Sequence, residues 1–94
     1  MNYNDIIIRP VVTEKTTEMI ENNKYVFQVN KYANKDMVKR AVKEIFKVTP
    51  VRVNVMKVRG KSKRVRYHYG YTPAWKKAIV TLKAGDKIEL FENQ

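Results

Sequence analysis

The stretch KYVFQVNKYANKDMVKRAVKEIFKVTPVRVNVMKV, residues 24–58, decides the fold. In its middle, Met37, Val38, Ala41, Val42, Ile45 and Phe46 recur at the three- and four-residue spacing that lines one face of a helix. Lys35, Lys39, Arg40, Lys43 and Glu44 take the other face. The spacing predicts a helix from about Asn34 to Lys47, with Asn34 as N-cap and Asp36 suited to the positive first-turn dipole. Pro50 ends it, because the residue before a proline is pushed out of helical geometry. Ahead of the helix, Tyr25, Phe27 and Val29 alternate with Val26 and Gln28, which predicts a half-buried strand over Lys24 to Asn30. Behind it, Val51, Val53 and Val55 alternate with Arg52 and Asn54 in a second strand, and the phase slips near Met56 to Val58, where a bulge is expected.

Working outward, Ala78, Val80 and Leu82 alternate with Lys77, Ile79 and Thr81, so a third strand is expected from about Trp75 to Lys83. Gly85-Asp86 signals a turn, followed at Ile88 to Phe91 by a short strand or a turn of helix. Thr13 to Glu21 has helical composition, with Asn22-Asn23 as its stop, and Asn4-Asp5 starts a brief turn that Arg9-Pro10 breaks. Each predicted strand has one apolar face for the helix to cover. Strand, helix, strand implies a crossover between parallel neighbours, and the later strands pair antiparallel through a long loop. The expected architecture is α+β, a split β-α-β, ferredoxin-like arrangement: a small antiparallel or mixed sheet of three to four strands, helices on one face, and a long basic loop.

A chain of 94 residues is read as one domain spanning positions 1–94, too small to organise a deep cleft for a small-molecule substrate. It has no cysteine and one histidine, so thiolate chemistry, disulfides and Cys- or His-rich metal cages drop out, and no cofactor is expected. Its apolar runs are too short for a signal-peptide core or a membrane span, which predicts a cytoplasmic protein without a membrane anchor. No catalytic constellation emerges. Glu14, Glu18 and Glu21 share a helical face but have no pocket, metal partner or nucleophile, and the three glycines are too scattered for a phosphate loop. The chain does not read as an enzyme.

The net charge is +11, and its placement matters more than its size. Between Ile45 and Gly85 there is no Asp or Glu, yet 11 of the 20 basic residues lie there. Elsewhere 9 basic residues meet all 9 acidic ones, so the entire excess is local. Charge that served solubility alone would be interspersed with acids; segregation of this kind points to a polyanion, and nucleic acid is the commonest. The densest part is KVRGKSKRVRYHYGYTPAWKK, residues 57–77, far longer than a hairpin connection requires. It combines Lys57, Arg59, Lys61, Lys63, Arg64, Arg66, Lys76 and Lys77 with Tyr67, His68, Tyr69, Tyr71 and Trp75. The cations suit phosphates and the rings suit unpaired bases, so these thirteen residues are the candidate RNA-binding set. Gly60, Gly70 and Pro73 allow bends, and mutual repulsion predicts a loop without fixed shape until RNA neutralises it. Trp75 and Tyr71 are as well placed to pack the sheet edge as to stack on a base. His68 lacks a neighbouring carboxylate, which suits a phosphate contact or plain exposure better than proton transfer.

The motifs RPVVTEK (9–15), KYVFQV (24–29), NKDMVKRAVKEIFKV (34–48), VRVNVMKVRGK (51–61) and WKKAIVTLKAGDKIE (75–89) together resemble the bacterial-type family of large-subunit ribosomal protein twenty-three, across essentially the whole chain. The resemblance implies binding to large-subunit ribosomal RNA beside neighbouring ribosomal proteins at the exit of the nascent-peptide tunnel, with the loop from Gly60 to Ala74 reaching into the subunit. It also implies a docking patch for the chaperone trigger factor at Val12, Thr13 and Glu14, in a region that receives the signal recognition particle. Thr13 stands where many family members carry serine, a conservative hydroxyl change. Without the resemblance, Glu14 reads simply as a first-turn residue favoured by the helix dipole. The competing function is a free-standing nucleic-acid-binding module outside the ribosome, of DNA-binding or chromatin type, for which the one strong helix offers no recognition pattern.

Overall fold

The computed structural model describes residues 2–58, 62–65, 68–71 and 74–88. Its elements in chain order are α1 (Tyr3–Ile6), β1 (Ile7–Pro10), α2 (Glu14–Ile20), β2 (Lys24–Val29), α3 (Lys35–Phe46), β3 (Arg52–Val58), β4 (Ser62–Val65), β5 (His68–Tyr71) and β6 (Trp75–Thr81). The main sheet runs β1-β2-β6-β3, with every adjacent pair antiparallel. β2 and β3 are therefore parallel to each other, but β6 lies between them. The crossover through α3 spans this inserted strand instead of joining parallel neighbours, which is what splits the β-α-β unit.

α3 forms where its spacing predicts. The Asn34 side chain accepts from the Met37 backbone N–H at 2.9 Å, capping the helix, and Asp36 occupies the first turn. The helix ends where expected, with Lys47 as C-cap, but the stop is the left-handed turn of Lys47 at φ 59°, three residues before Pro50, and not the proline itself. Val38, Ala41 and Val42 are completely buried against Phe27, Val29, Val53, Ala78 and Val80. Phe46 stacks on Phe27 with centroids 5.5 Å apart. Leu82 and Ile88 complete the core, the latter brought back by the turn at Gly85, whose φ of 96° favours glycine. Residues 89–91, expected to continue a strand or helical turn, lie outside the described residues.

Three local expectations are corrected. Ile7–Pro10 is an edge strand and not the end of a broken turn: Ile7 pairs with Val29 and Pro10 with Phe27, with an irregularity between Ile7 and Arg9. Proline is tolerated at a strand end on a sheet edge, where no ladder donor is needed. The bulge expected near Met56 is absent, since β3 stays in unbroken register with β6 from Arg52 opposite Thr81 to Val58 opposite Trp75. Met56 and Val58 simply face away from α3, while Lys57 takes the core-side parity beyond the reach of the helix. The 57–77 segment, expected to lack a shape of its own, contains an antiparallel ladder in which Ser62 pairs with Tyr71 and Val65 with His68. Its β-branched and aromatic content favours strand pairing, which the count of like charges ignored. Among the described residues, no helix is long and apolar enough to cross a membrane.

Candidate nucleic-acid interface

Residues paired across antiparallel strands share a face of the sheet, so the register sorts every side chain of the sheet. On the face away from α3, Lys24, Thr81 and Arg52 form one row, Val26, Ile79 and Asn54 the next, and Arg9, Gln28, Lys77 and Met56 a third. Arg9 Nε donates to Gln28 Oε1 at 2.8 Å, tying the edge strand's cation into that third row. Arg9, Lys24 and Arg52 are exposed and Lys77 is half-buried, with no carboxylate in these rows. Cations thus flank a middle row in which Val26 is buried and Ile79 and Asn54 are half-buried. Charge counting could not find Arg9 and Lys24, because both lie outside the acid-free window and only the pairing of β1 with β2 and of β2 with β6 brings them beside it.

The strands β2, β6 and β3 end together at the edge from which β4 and β5 are reached. Val29, Lys76 and Lys57 lie in register there on the α3 side. Lys76 Nζ donates to the backbone carbonyl of Ala33 at 2.8 Å, committing that amine to the start of α3. The turn between β2 and α3 is held by Asn30: its side-chain oxygen accepts from the Tyr32 N–H at 3.0 Å, and its carbonyl accepts from the Ala33 N–H at 2.9 Å. Together these segments border an open cleft of about 440 Å³ lined by Lys31, Tyr32, Lys57, Ala74, Trp75 and Lys76.

Of the thirteen residues proposed for RNA, Lys57, Trp75 and Lys76 are thus gathered in one cleft, and Lys77 lies on the opposite face. Trp75 is half-buried at the start of β6, serving the sheet edge and the cleft wall at once. Lys63 stands opposite Gly70 and Arg64 opposite Tyr69 in the β4–β5 ladder, with His68 and Tyr71 at its ends. Arg59, Lys61, Arg66 and Tyr67 lie outside the described residues.

Val12, Thr13 and Glu14 sit together on a different element, at the entry to α2. Thr13 is the N-cap: its hydroxyl accepts from the Thr16 N–H at 3.1 Å, and the Thr16 hydroxyl accepts from the Thr13 N–H at 2.7 Å. Val12 is 49% exposed, Glu14 is exposed in the first turn, and no residue of α2 is buried.

Comparison with known proteins matches residues 5–90 to the family model described as ribosomal protein L23. A relative named large ribosomal subunit protein uL23 from Roseiflexus castenholzii is 55% identical over 92 residues, covering 98% of both chains. The protein of the same name from Pelotomaculum thermopropionicum is 57% identical over 88 residues, covering 94% of this chain and 93% of its own. The corresponding protein from Treponema denticola is 51% identical over 92 residues, 98% of each.

Proposed function

The chain belongs to the ribosomal protein L23 family, and from that premise we propose that it grips large-subunit ribosomal RNA through the basic segment between β3 and β6, near the exit of the nascent-peptide tunnel. As a member of that family it is a structural constituent of the large ribosomal subunit and not an enzyme; its partners there are ribosomal RNA and neighbouring ribosomal proteins. The observation that carries the finer reading is the segregation of charge: the whole +11 excess falls in the acid-free window, which covers β3 to β6 and everything between them. Contacts of this kind go mostly to phosphate and 2′-hydroxyl groups, with a few stacked bases. Binding to a large-subunit rRNA fragment is then expected to weaken steeply with salt, by about 0.7–0.9 log units per log salt for each phosphate neutralised. Affinity indifferent to salt contradicts the proposal.

The exposed start of α2 supports a second, complementary role as a docking patch for trigger factor, in a region that also receives the signal recognition particle. Because the Thr13 hydroxyl is engaged in the cap, the side chains free to meet a partner are Val12 and Glu14. This also explains why threonine can replace serine there: either hydroxyl caps a helix. Glu14→Ala is expected to weaken trigger factor recruitment to ribosomes by roughly tenfold, the effect of one charge-assisted contact of about 1.4 kcal/mol, with subunit assembly unchanged. Undiminished recruitment removes the docking role and leaves the RNA role intact.

A further inference from the structure

We propose that the cleft between the β2–α3 turn and the ends of β3 and β6 binds one unpaired RNA nucleotide, its base stacked on Tyr32 beside Trp75 and its phosphate held by Lys31 and Lys57. The proposal rests on the RNA-binding reading above and assigns it a discrete site, which includes two residues outside the basic window.

Tyr32 is the starting point. It is 70% exposed, so the core has no use for its ring. It is nevertheless held in place: the Asn30 side chain fixes its backbone, and Lys31 Nζ lies over the ring, 5.1 Å from the centroid. An aromatic ring that is both exposed and positioned is a stacking platform. Base–aromatic stacking takes any base with a free π-face, so it calls for a nucleotide outside a duplex. The half-buried Trp75 lines the same cleft as a second aromatic surface.

The charges divide in a way that suits one phosphate. The Lys76 amine is occupied by the Ala33 carbonyl, so among the described lining residues Lys57 and Lys31, whose amine lies over one face of the Tyr32 ring, are the cations that can meet an anion. No carboxylate is among the described lining residues, and the volume of about 440 Å³ falls within the range of small-ligand pockets. An acidic peptide could use the lysines but would leave the rings without a partner, so the pairing of cations with aromatics favours RNA. The cleft also lies where the chain leaves the sheet for β4 and β5, placing the site at the near end of the basic segment.

Trp75 is the only tryptophan of the chain, so its emission reports on the cleft directly. The full-length protein is titrated with single-stranded decaadenylate, followed by Trp75 fluorescence and by anisotropy of a labelled strand, with a large-subunit rRNA fragment in parallel. The expected result is saturable quenching of Trp75. Tyr32→Ala weakens decaadenylate binding by about tenfold, as loss of one stacked base does, whereas Tyr32→Phe binds like the parent because the ring and not the hydroxyl is used. Lys31→Gln lowers the salt slope by about 0.7, one phosphate's share on a single strand. Tyr32→Ala keeps the parent's thermal midpoint, which separates a lost contact from a lost fold. If decaadenylate binds with Trp75 emission unchanged and Tyr32→Ala binds as tightly as the parent, the cleft proposal is overturned and the general RNA reading survives. Failure to bind either RNA overturns both. Quenching of Trp75 by decaglutamate as tight as that by RNA overturns the proposal in favour of an acidic protein partner.

Discussion

Phe27→Ala is expected to destabilise the protein by about 3–5 kcal/mol, the range for removing a fully buried phenylalanine whose cavity cannot collapse. The ring has no exposed surface, stacks on Phe46, and sits on the central strand β2 between β1 and β6. It is packed from both sides: α3 covers it and two strands pin its backbone, so little can move into the space. A domain of this size has roughly 5–15 kcal/mol of stability in all, so the loss consumes a large share of it. Thermal unfolding followed by circular dichroism should fall by at least about 12 °C, at some 4–8 °C per kcal/mol for a chain this short. A fall of less than about 4 °C would mean that α3 and β2 are not the joint centre of the core. Tyr32→Ala is the natural control, since its ring contributes nothing to that core.

The second large effect concerns binding. Replacing Lys57, Lys63 and Arg64 together by glutamine is expected to lower affinity for an rRNA fragment by roughly 100-fold near 0.1 M salt, and to reduce the salt slope by about 2–3. Each lost phosphate contact removes about 0.7–0.9 from the slope, and the contributions of backbone contacts are close to additive over separate phosphates. The three residues lie on β3 and β4 along the path from the sheet into the basic segment. Stability should hardly change, because Lys57 is exposed near the end of β3 and removing like charges relieves repulsion. Neutralising Lys35, Lys39 and Arg40 on the exposed face of α3 supplies the comparison: the same change in net charge, placed on the acid-balanced part of the chain, should cost far less affinity.

Much of the fold was legible because its signals are local. The helix from Asn34 declares itself through a cap, an acidic first turn and an apolar stripe, all within one short stretch, and the structure places its N-terminus where they say. The alternation of β2 and β6 was equally readable. What was not legible depended on pairing between distant segments. Ile7–Pro10 is a strand only because β2 accepts it in register, and its apolar run followed by proline has no period of its own. The apparent phase slip at Met56 came from the end of the helix-covered face, where a lysine can take a core-side position without burial. A ladder between Ser62–Val65 and His68–Tyr71 is likewise a property of two segments facing each other, invisible to a count of their charges.

The candidate interface divides along the same line. The acid-free window and its aromatics are properties of composition, open to a count. Arg9 and Lys24 join the basic face only through the β1-β2-β6 register, and Lys31 and Tyr32 reach the cleft only because Val29 pairs with Lys76. A basic–aromatic pair in a turn, such as Lys31-Tyr32, is the signal the sequence offers for this site, and it carries too little charge to stand out by density. Lys57, Trp75 and Lys76 meet in one cleft, and Lys77 lies on the opposite face, where the fold adds Arg9 and Lys24 from the electrically balanced half of the chain.

The segment between β3 and β6 is proposed to hold the ribosomal RNA. Ultraviolet crosslinking of the protein in intact large subunits, followed by mass spectrometry of the RNA-bearing peptides, tests it most directly. Adducts are expected to concentrate on peptides from residues 57–77, with a further one at Tyr32 and none on Val12 to Ile20. Adducts confined to α2 and the exposed face of α3, with residues 57–77 unmodified, would contradict it.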